Sequence, residues 1–265
     1  MSILRKPGLL LSVLLLALTA LAMIAPQLLA PYDPYDSVGA GRLLPPSAEH
    51  LFGTDHLARD VFSRVVYGAQ LSLTAAGLAV IGGVMVGSII GLVTGYLGGA
   101  VDFVAMRFVD VLIAIPGILL ALIVVATLGF GPFSIALGVG LGTAGSFARV
   151  MRSAVLRVRS EEYVEAARTI GVRGSGVLFG HVLPNAARPV ISMAALELAV
   201  AILAVSALSF LGFGAQPPAP EWGSLVSAGR DFVAIAPWLS ILPGAVILAV
   251  VLSVNRVSRF LGGDR

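Results

Sequence analysis

Six long apolar stretches punctuate the chain: Leu9 to Leu29, Leu73 to Leu97, Phe108 to Leu128, Phe133 to Val150, Val190 to Leu211 and Trp238 to Val257. About 20 residues rising 1.5 Å each cross the hydrocarbon of a bilayer, so each stretch is long enough to span it. Open sheet edges cannot sit in lipid, which predicts six transmembrane helices. The first stretch admits a second reading. Arg5 and Lys6, an apolar run and then Ala20-Leu21-Ala22 also fit a cleaved signal peptide, although the run continues well past Ala22.

The segments between the spans differ in character. Residues 31–72 carry Pro31, Pro34, Pro45 and Pro46. From Leu57 to Tyr67 apolar Val61, Phe62, Val65 and Val66 recur at helical spacing beside Arg59, Asp60 and Arg64. This mixed face predicts a short amphipathic helix lying on the membrane surface. The segment Gly212 to Pro237 contains Gln216-Pro217-Pro218-Ala219-Pro220, too rich in proline for a regular helix. The organisation expected is therefore an N-terminal helix (1–30), an extracytoplasmic segment (31–72) and a core of five helices (73–260), with a long loop at 149–188.

Composition strengthens the membrane reading. The 265 residues are 58% hydrophobic and 12% charged, with mean hydropathy +0.99. A water-soluble domain carries roughly a quarter charged residues. With no cysteine, thiolate metal sites and cysteine nucleophiles are excluded. The histidines are His50, His56 and His181, in no metal-binding spacing, so no metal site is expected. Lys6 is the sole lysine, which removes a Walker A loop; if ATP drives this chain, another polypeptide hydrolyses it. The chain is thus not expected to be an enzyme or to bind a cofactor.

Charge placement sets the topology. The pI near 9.7 would suggest nucleic acid in a soluble protein, but here the arginines fall between apolar runs and no nucleic-acid partner is expected. With the N-terminus inside, Arg42, Arg59, Arg64 and Arg230 face outward; the remaining basic residues, from Arg5 and Lys6 to Arg265, face inward. The positive-inside rule then places both termini in the cytoplasm.

Glycine recurs in the helices at Gly83, Gly87, Gly91 and Gly95, a smooth face suited to close helix packing. Gly140-Leu141-Gly142-Thr143-Ala144-Gly145 matches a dinucleotide-binding pattern by letters only, since no strand precedes it. Glu197 lies near the middle of the fifth span. A charge there costs about 2.5–3.5 kcal/mol on insertion scales, so it is expected to face the bundle or a cavity as a pathway residue, to be a protonated, hydrogen-bonded structural acid, or to lie slightly nearer the cytoplasmic interface. Asp110 falls near a span start, at the water boundary.

The loop 149–188 contains Ser160-Glu161-Glu162-Tyr163-Val164-Glu165-Ala166-Ala167-Arg168-Thr169-Ile170-Gly171. Ser160 is suited to an N-cap, acidic residues fill the first turn, Arg168 the last, and Gly171 a C′ position, which predicts a capped helix over Glu161 to Ile170. Tyr163, Ala166, Ala167 and Ile170 share one face. That face suits either docking into a partner's groove or packing on this chain's own helix ends.

Glu165-Ala166-Ala167, then Gly171, then His181-Val182-Leu183-Pro184 resembles the EAA loop of bacterial ABC importer permeases, with histidine where isoleucine is general. His50-Leu51-Phe52-Gly53-Thr54-Asp55 with Arg59-Asp60-Val61-Phe62-Ser63-Arg64 is similar to the outer segment of the dipeptide and oligopeptide branch, C-type subunit. So are Leu208-Ser209-Phe210-Leu211-Gly212-Phe213-Gly214, Gln216-Pro217-Pro218 and Glu221-Trp222-Gly223. Departures fall at Ala58, for a usual glycine, at Val205, where an acid is common, and in the tail after Asn255.

The resemblance implies an all-α integral membrane protein with the type I ABC importer permease fold, in a bacterial cytoplasmic (inner) membrane. It implies a coupling contact with the ATPase through Tyr163, Glu165, Ala166, Ala167, Ile170 and Gly171, with Leu183 and Pro184 closing the loop. Its implied partners are a second homologous permease, cytoplasmic ATP-binding subunits holding ATP and magnesium, and an extracytoplasmic substrate-binding protein. Cargo would be di- or oligopeptides or a similar small solute. An ion-coupled secondary transporter using Glu197 is the alternative, and an intramembrane enzyme is disfavoured because the spans hold no cluster of catalytic groups.

Overall fold

The computed structural model describes residues 7–39 and 41–262; the basic residues Arg5, Lys6 and Arg265 lie outside them. The described residues form helices α1 (Pro7–Ile24), α2 (Val61–Leu97), α3 (Gly99–Ala114), α4 (Gly117–Leu128), α5 (Pro132–Val158), α6 (Glu162–Thr169), α7 (Gly174–Val177), α8 (Leu183–Phe210), α9 (Trp222–Gly229) and α10 (Trp238–Gly262). A π-helical turn, Leu178–Val182, joins α7 to α8, so that one helical rod runs over Gly174–Phe210. Among the described residues five helices are long and apolar enough to cross a membrane, and α3 with α4 forms a bent pair that makes six if it is counted as one span. The chain is a multi-pass membrane protein.

The third expected span is broken. Ile115 is extended (φ −84°, ψ 126°) because the ring of Pro116 disfavours helical geometry in the residue before it. The two halves meet at 92°. Two ion pairs tie α3 to α5: Arg152 Nη2 donates to Asp102 Oδ2 at 2.6 Å, and Arg149 Nη2 to Asp110 Oδ1 at 2.7 Å. Asp110 and Arg149 are both about half exposed.

The centre of the bundle is the contact of α2 with α5. A Cβ at Gly87 would strike the Ala144 carbonyl, and one at Gly91 would strike the Ala148 carbonyl. Gly140 on α5 faces Ala79 in return, and Gly145 faces Ile113 of α3. The glycine repeat and the dinucleotide-like letters are thus packing surfaces. Hydrophobic attraction between helices is weak in lipid, so close backbone approach of this kind supplies the association.

The expected surface helix at Leu57 to Tyr67 is absent; the helix starts at Val61 and runs without interruption to Leu97. At 37 residues it is about 55 Å long, well beyond the bilayer core. Its polar residues face protein instead of headgroups. Asp60 caps the helix, accepting from the Ser63 N–H at 2.7 Å, while its other oxygen lies 3.0 Å from His50 Nδ1. Arg64 is buried and donates to the carbonyls of Pro34 at 2.6 Å and Pro218 at 3.2 Å. Ala58, where the resembled family has glycine, is left-handed at φ 58°.

The glycines of α2 are unequal in this packing. Gly91→Leu lowers stability by about 2 kcal/mol or more through overpacking, whereas Gly82→Ala, which meets nothing within 4 Å, gains up to about 1 kcal/mol. Thermal unfolding in mild detergent checks both. By the same measurement Ala58→Val costs about 1–2 kcal/mol, because a β-branched residue suits a positive φ poorly, and Ala58→Gly does not.

Candidate coupling site

Helix α6 stands at the end of the bundle where α2 and α5 terminate and α7 begins. Val164 and Ala167 point inward and join Phe147, Met151 and Val155 of α5 with Val177, Val182 and Ala186 of the rod in one buried cluster. Val164 is 0% exposed. The opposite side is uncovered: Tyr163 is 45% exposed, Ile170 81%, and Glu165 and Ala166 are exposed as well. The apolar face read from the sequence is therefore split. Ala167 is committed to this chain's own core, while Tyr163, Ala166 and Ile170 form an apolar rim over it.

The helix ends differ from expectation at the start and agree at the finish. Ser160 does not cap α6. Its hydroxyl donates to the Arg157 carbonyl at 2.8 Å, completing the last turn of α5, so the cap position passes to Glu161, which makes no side-chain cap bond. Glu162 and Glu165 in the first turn still favour the helix dipole. At the other end Gly171 is left-handed (φ 87°). The Gly171 N–H donates to the Arg168 carbonyl at 3.0 Å and the Val172 N–H to the Ala167 carbonyl at 3.1 Å, a Schellman closure. A Cβ on Gly171 would meet nothing within 4 Å, so glycine is needed there for conformation and not for space.

Leu183 and Pro184 do not close a loop; they lie inside the helical rod. Pro184 has no N–H and its ring crowds the preceding turn, and the helix widens there: the Leu183 N–H reaches the Leu178 carbonyl, a π register. Asn185 Nδ2 donates to the His181 carbonyl at 2.8 Å beside this turn. The His181 ring stands edge-on to Tyr163, centroids 6.3 Å apart. Leu183 is half-buried against the α6 cluster and Pro184 is exposed.

Two residues that sequence reasoning passed over hold this end together. Arg159 Nη1 donates to the carbonyls of Gly95 at 2.9 Å and Tyr96 at 3.2 Å, filling acceptors at the C-terminus of α2. The Tyr96 hydroxyl donates to the Gly174 carbonyl at 2.9 Å. Their only signal in the sequence is position, each at the edge of an apolar run. Glu197, also singled out from the sequence, is on α8, distant along the rod from α6, and lines a cavity of about 470 Å³ between α4, α5 and α8.

Residues 83–263 match the family described as binding-protein-dependent transport system inner membrane component. The chain belongs to this family. Among relatives of this permease, the dipeptide transport system permease protein DppC of Alkalihalophilus pseudofirmus is 43% identical over 218 residues, covering 82% of this chain and 72% of that protein. The glutathione transport system permease protein GsiD of Pectobacterium atrosepticum is 39% identical over 245 residues, covering 91% and 80%. The probable D,D-dipeptide transport system permease protein DdpC of Escherichia coli is 38% identical, covering 92% and 82%. In fold the permease is similar to an amino acid ABC transporter (TM-score 0.58, 16% identity, covering 75% of this chain and 92% of that one). An inward-facing MetNI methionine ABC transporter is similar as well (TM-score 0.56, 18% identity, covering 74% and 95%). The architecture is that of type I ABC importer permeases. Members of the family are transport subunits, not enzymes, and work with ATPase and substrate-binding partners.

At the opposite end, the permease buries a carboxylate that the sequence marked only as part of the family-like stretch Glu221-Trp222-Gly223. Glu221 caps α9, accepting from the N–H groups of Gly223 at 3.2 Å and Ser224 at 3.0 Å, and it accepts the Ser72 hydroxyl at 2.9 Å. Trp222 is pinned beside it, its Nε1 donating to the Val65 carbonyl at 2.9 Å. Burial pushes the Glu221 carboxyl above its ordinary value, and these hydrogen bonds offset only part of that. An acid raised in the folded state is most favourable when protonated, so its contribution is full below the usual value near 4.5 and is lost as pH rises through the folded value. The unfolding midpoint is expected to fall over that interval in the native protein and to fall less in Glu221→Gln, measured by thermal unfolding across pH.

Proposed function

We propose that this chain is one permease subunit of an ATP-driven, binding-protein-dependent importer for di- or oligopeptides or similar small solutes, coupled to its ATPase through α6. The observation that carries the reading is the two-sided character of α6. One side is locked into the core by Val164 and Ala167, and the other leaves Tyr163, Glu165, Ala166 and Ile170 exposed, with the His181 ring edge-on to Tyr163. A helix anchored in this way moves with the α7–α8 rod, so a push on its free face is passed to a membrane span. Gly171 fixes where the helix stops, and Leu183 and Pro184 belong to the part of the rod that receives the motion. The peptide cargo is supported by relatives named for dipeptide and glutathione transport.

In this reading both termini and α6 are cytoplasmic, in a bacterial inner membrane. ATP and its magnesium ion bind separate ATPase subunits. A second, homologous permease completes the pathway, and a substrate-binding protein delivers cargo to the face formed by residues 31–72 and 212–237. The three units along the chain are the N-terminal helix (1–30), the outer segment (31–72) and the permease core (73–260).

The test is co-purification from mild detergent. Wild type is expected to bring down an ATPase subunit. Ile170→Asp and Glu165→Arg, at exposed positions, are expected to lose it by about tenfold or more while keeping the wild-type unfolding midpoint. ATPase retained by both variants, or none bound to wild type, contradicts the coupling role and returns weight to an ion-coupled carrier.

A further inference from the structure

The Glu197 carboxyl makes no hydrogen bond or ion pair with any described residue. It shares one face of α8 with Val200, Ala204 and Ala207, and looks across the 470 Å³ cavity at Thr143 and Ser146 of α5. The Thr143 hydroxyl is turned back onto the Gly140 carbonyl at 3.1 Å, whereas Ser146 makes no such bond. Small residues, Gly117, Gly142, Ala204 and Ala207, keep the space open. Among the described residues no cation answers the carboxylate. Arg149 on α5 is engaged by Asp110 at 2.7 Å, α4 carries no basic residue, and Arg188 on α8 is about 13 Å away along the helix.

Resting on the reading of the chain as an importer permease, we infer that this cavity is a cation-selecting station on the translocation route, where Glu197 receives a protonated amine of the passing solute. An ionised side chain at membrane depth is stable only against a cavity or a protein partner. The exposed apolar residues beside it, Ile118, Val200 and Leu203, therefore face the second permease across the route and not lipid. A metal ion is a poor match, because no group of three metal-binding side chains occurs among the described residues. An ammonium group suits the site better, with three donors for the two oxygens of Glu197 and the Ser146 hydroxyl. The volume lies within the range of small-molecule sites, about 300–1,000 Å³, and accommodates a short peptide.

The absence of cysteine allows a direct test. Ser146→Cys, with Thr143→Cys as a second placement, is prepared in the complex with its co-purified ATPase. Each is exposed to a cationic and to an anionic methanethiosulfonate of similar size, and modification of this chain is followed by mass. The rate ratio of cationic to anionic reagent is expected to exceed that of a free thiol on the order of tenfold, and to fall to the free-thiol value when Glu197→Gln is added. Millimolar ethylammonium is expected to slow the cationic reagent only while Glu197 is present. A ratio unaffected by Glu197→Gln overturns the inference, as does failure of both reagents at both positions, which would mean the partner fills the cavity. Retention of the ATPase in the same preparation separates these failures from failure of the importer reading.

Discussion

Lipid removes the usual reason for helices to associate, since an apolar side chain gains little by leaving hydrocarbon for a protein surface. What holds this bundle is distance. Along α2, Gly83, Gly87, Gly91 and Gly95 let the backbone of α5 come into direct contact over several turns. Everything at the α6 end is referenced to that seam. It fixes where α5 stops, Arg159 uses the stop to fill carbonyls at the end of α2, and α6 starts three residues further on. A single added methyl group in the seam would shift the platform on which the candidate coupling helix stands.

The two ends of the molecule solve different problems. At the α6 end, apolar side chains anchor one side of a short helix and leave the other bare. At the opposite end, polar groups are drawn inward: Asp60, His50, Arg64 and Glu221 are all buried and hydrogen-bonded where the segment before α2, the start of α2 and α9 meet. The network is not fully satisfied, since His50 Nε2 and Arg64 Nε are buried without a hydrogen-bond partner among the described residues. The rod Gly174–Phe210 runs between the polar-packed end and the α6 end.

The membrane spans were legible because a run of about twenty apolar residues is stable as little else than a helix in lipid. The break in the third was written in Pro116, yet hydropathy stays high on both sides of it and conceals the bend. Residues 57–67 misled for a different reason. A mixed polar and apolar face is the same signal whether the polar side meets headgroups or, as for Arg64, backbone carbonyls of a distant loop. Around α6, periodicity picked out the right helix and the right terminal glycine. It could not divide Ala167 from Ala166, because adjacent positions about 100° apart are separated only by what packs against them. Ser160 was read as a cap for the helix after it and serves the helix before it. Glu221 stood out only within the family-like Glu221-Trp222-Gly223; its burial was not legible because it depends on Ser72, 149 residues away in the chain. The proposal that the apolar rim of α6 docks on a partner rests on the family resemblance and not on periodicity.

The central claim is that the bare face of α6 meets an ATPase, and proximity in the native membrane tests it most directly. A single cysteine introduced by Ile170→Cys into this cysteine-free chain is treated, in membranes, with a short thiol-to-amine cross-linker. The expected result is a cross-linked product containing the ATPase subunit, formed from Ile170→Cys and not from Val164→Cys, whose side chain is buried. Labelling of Ile170→Cys by an impermeant thiol reagent from the outside of intact cells, with no ATPase product, would contradict it.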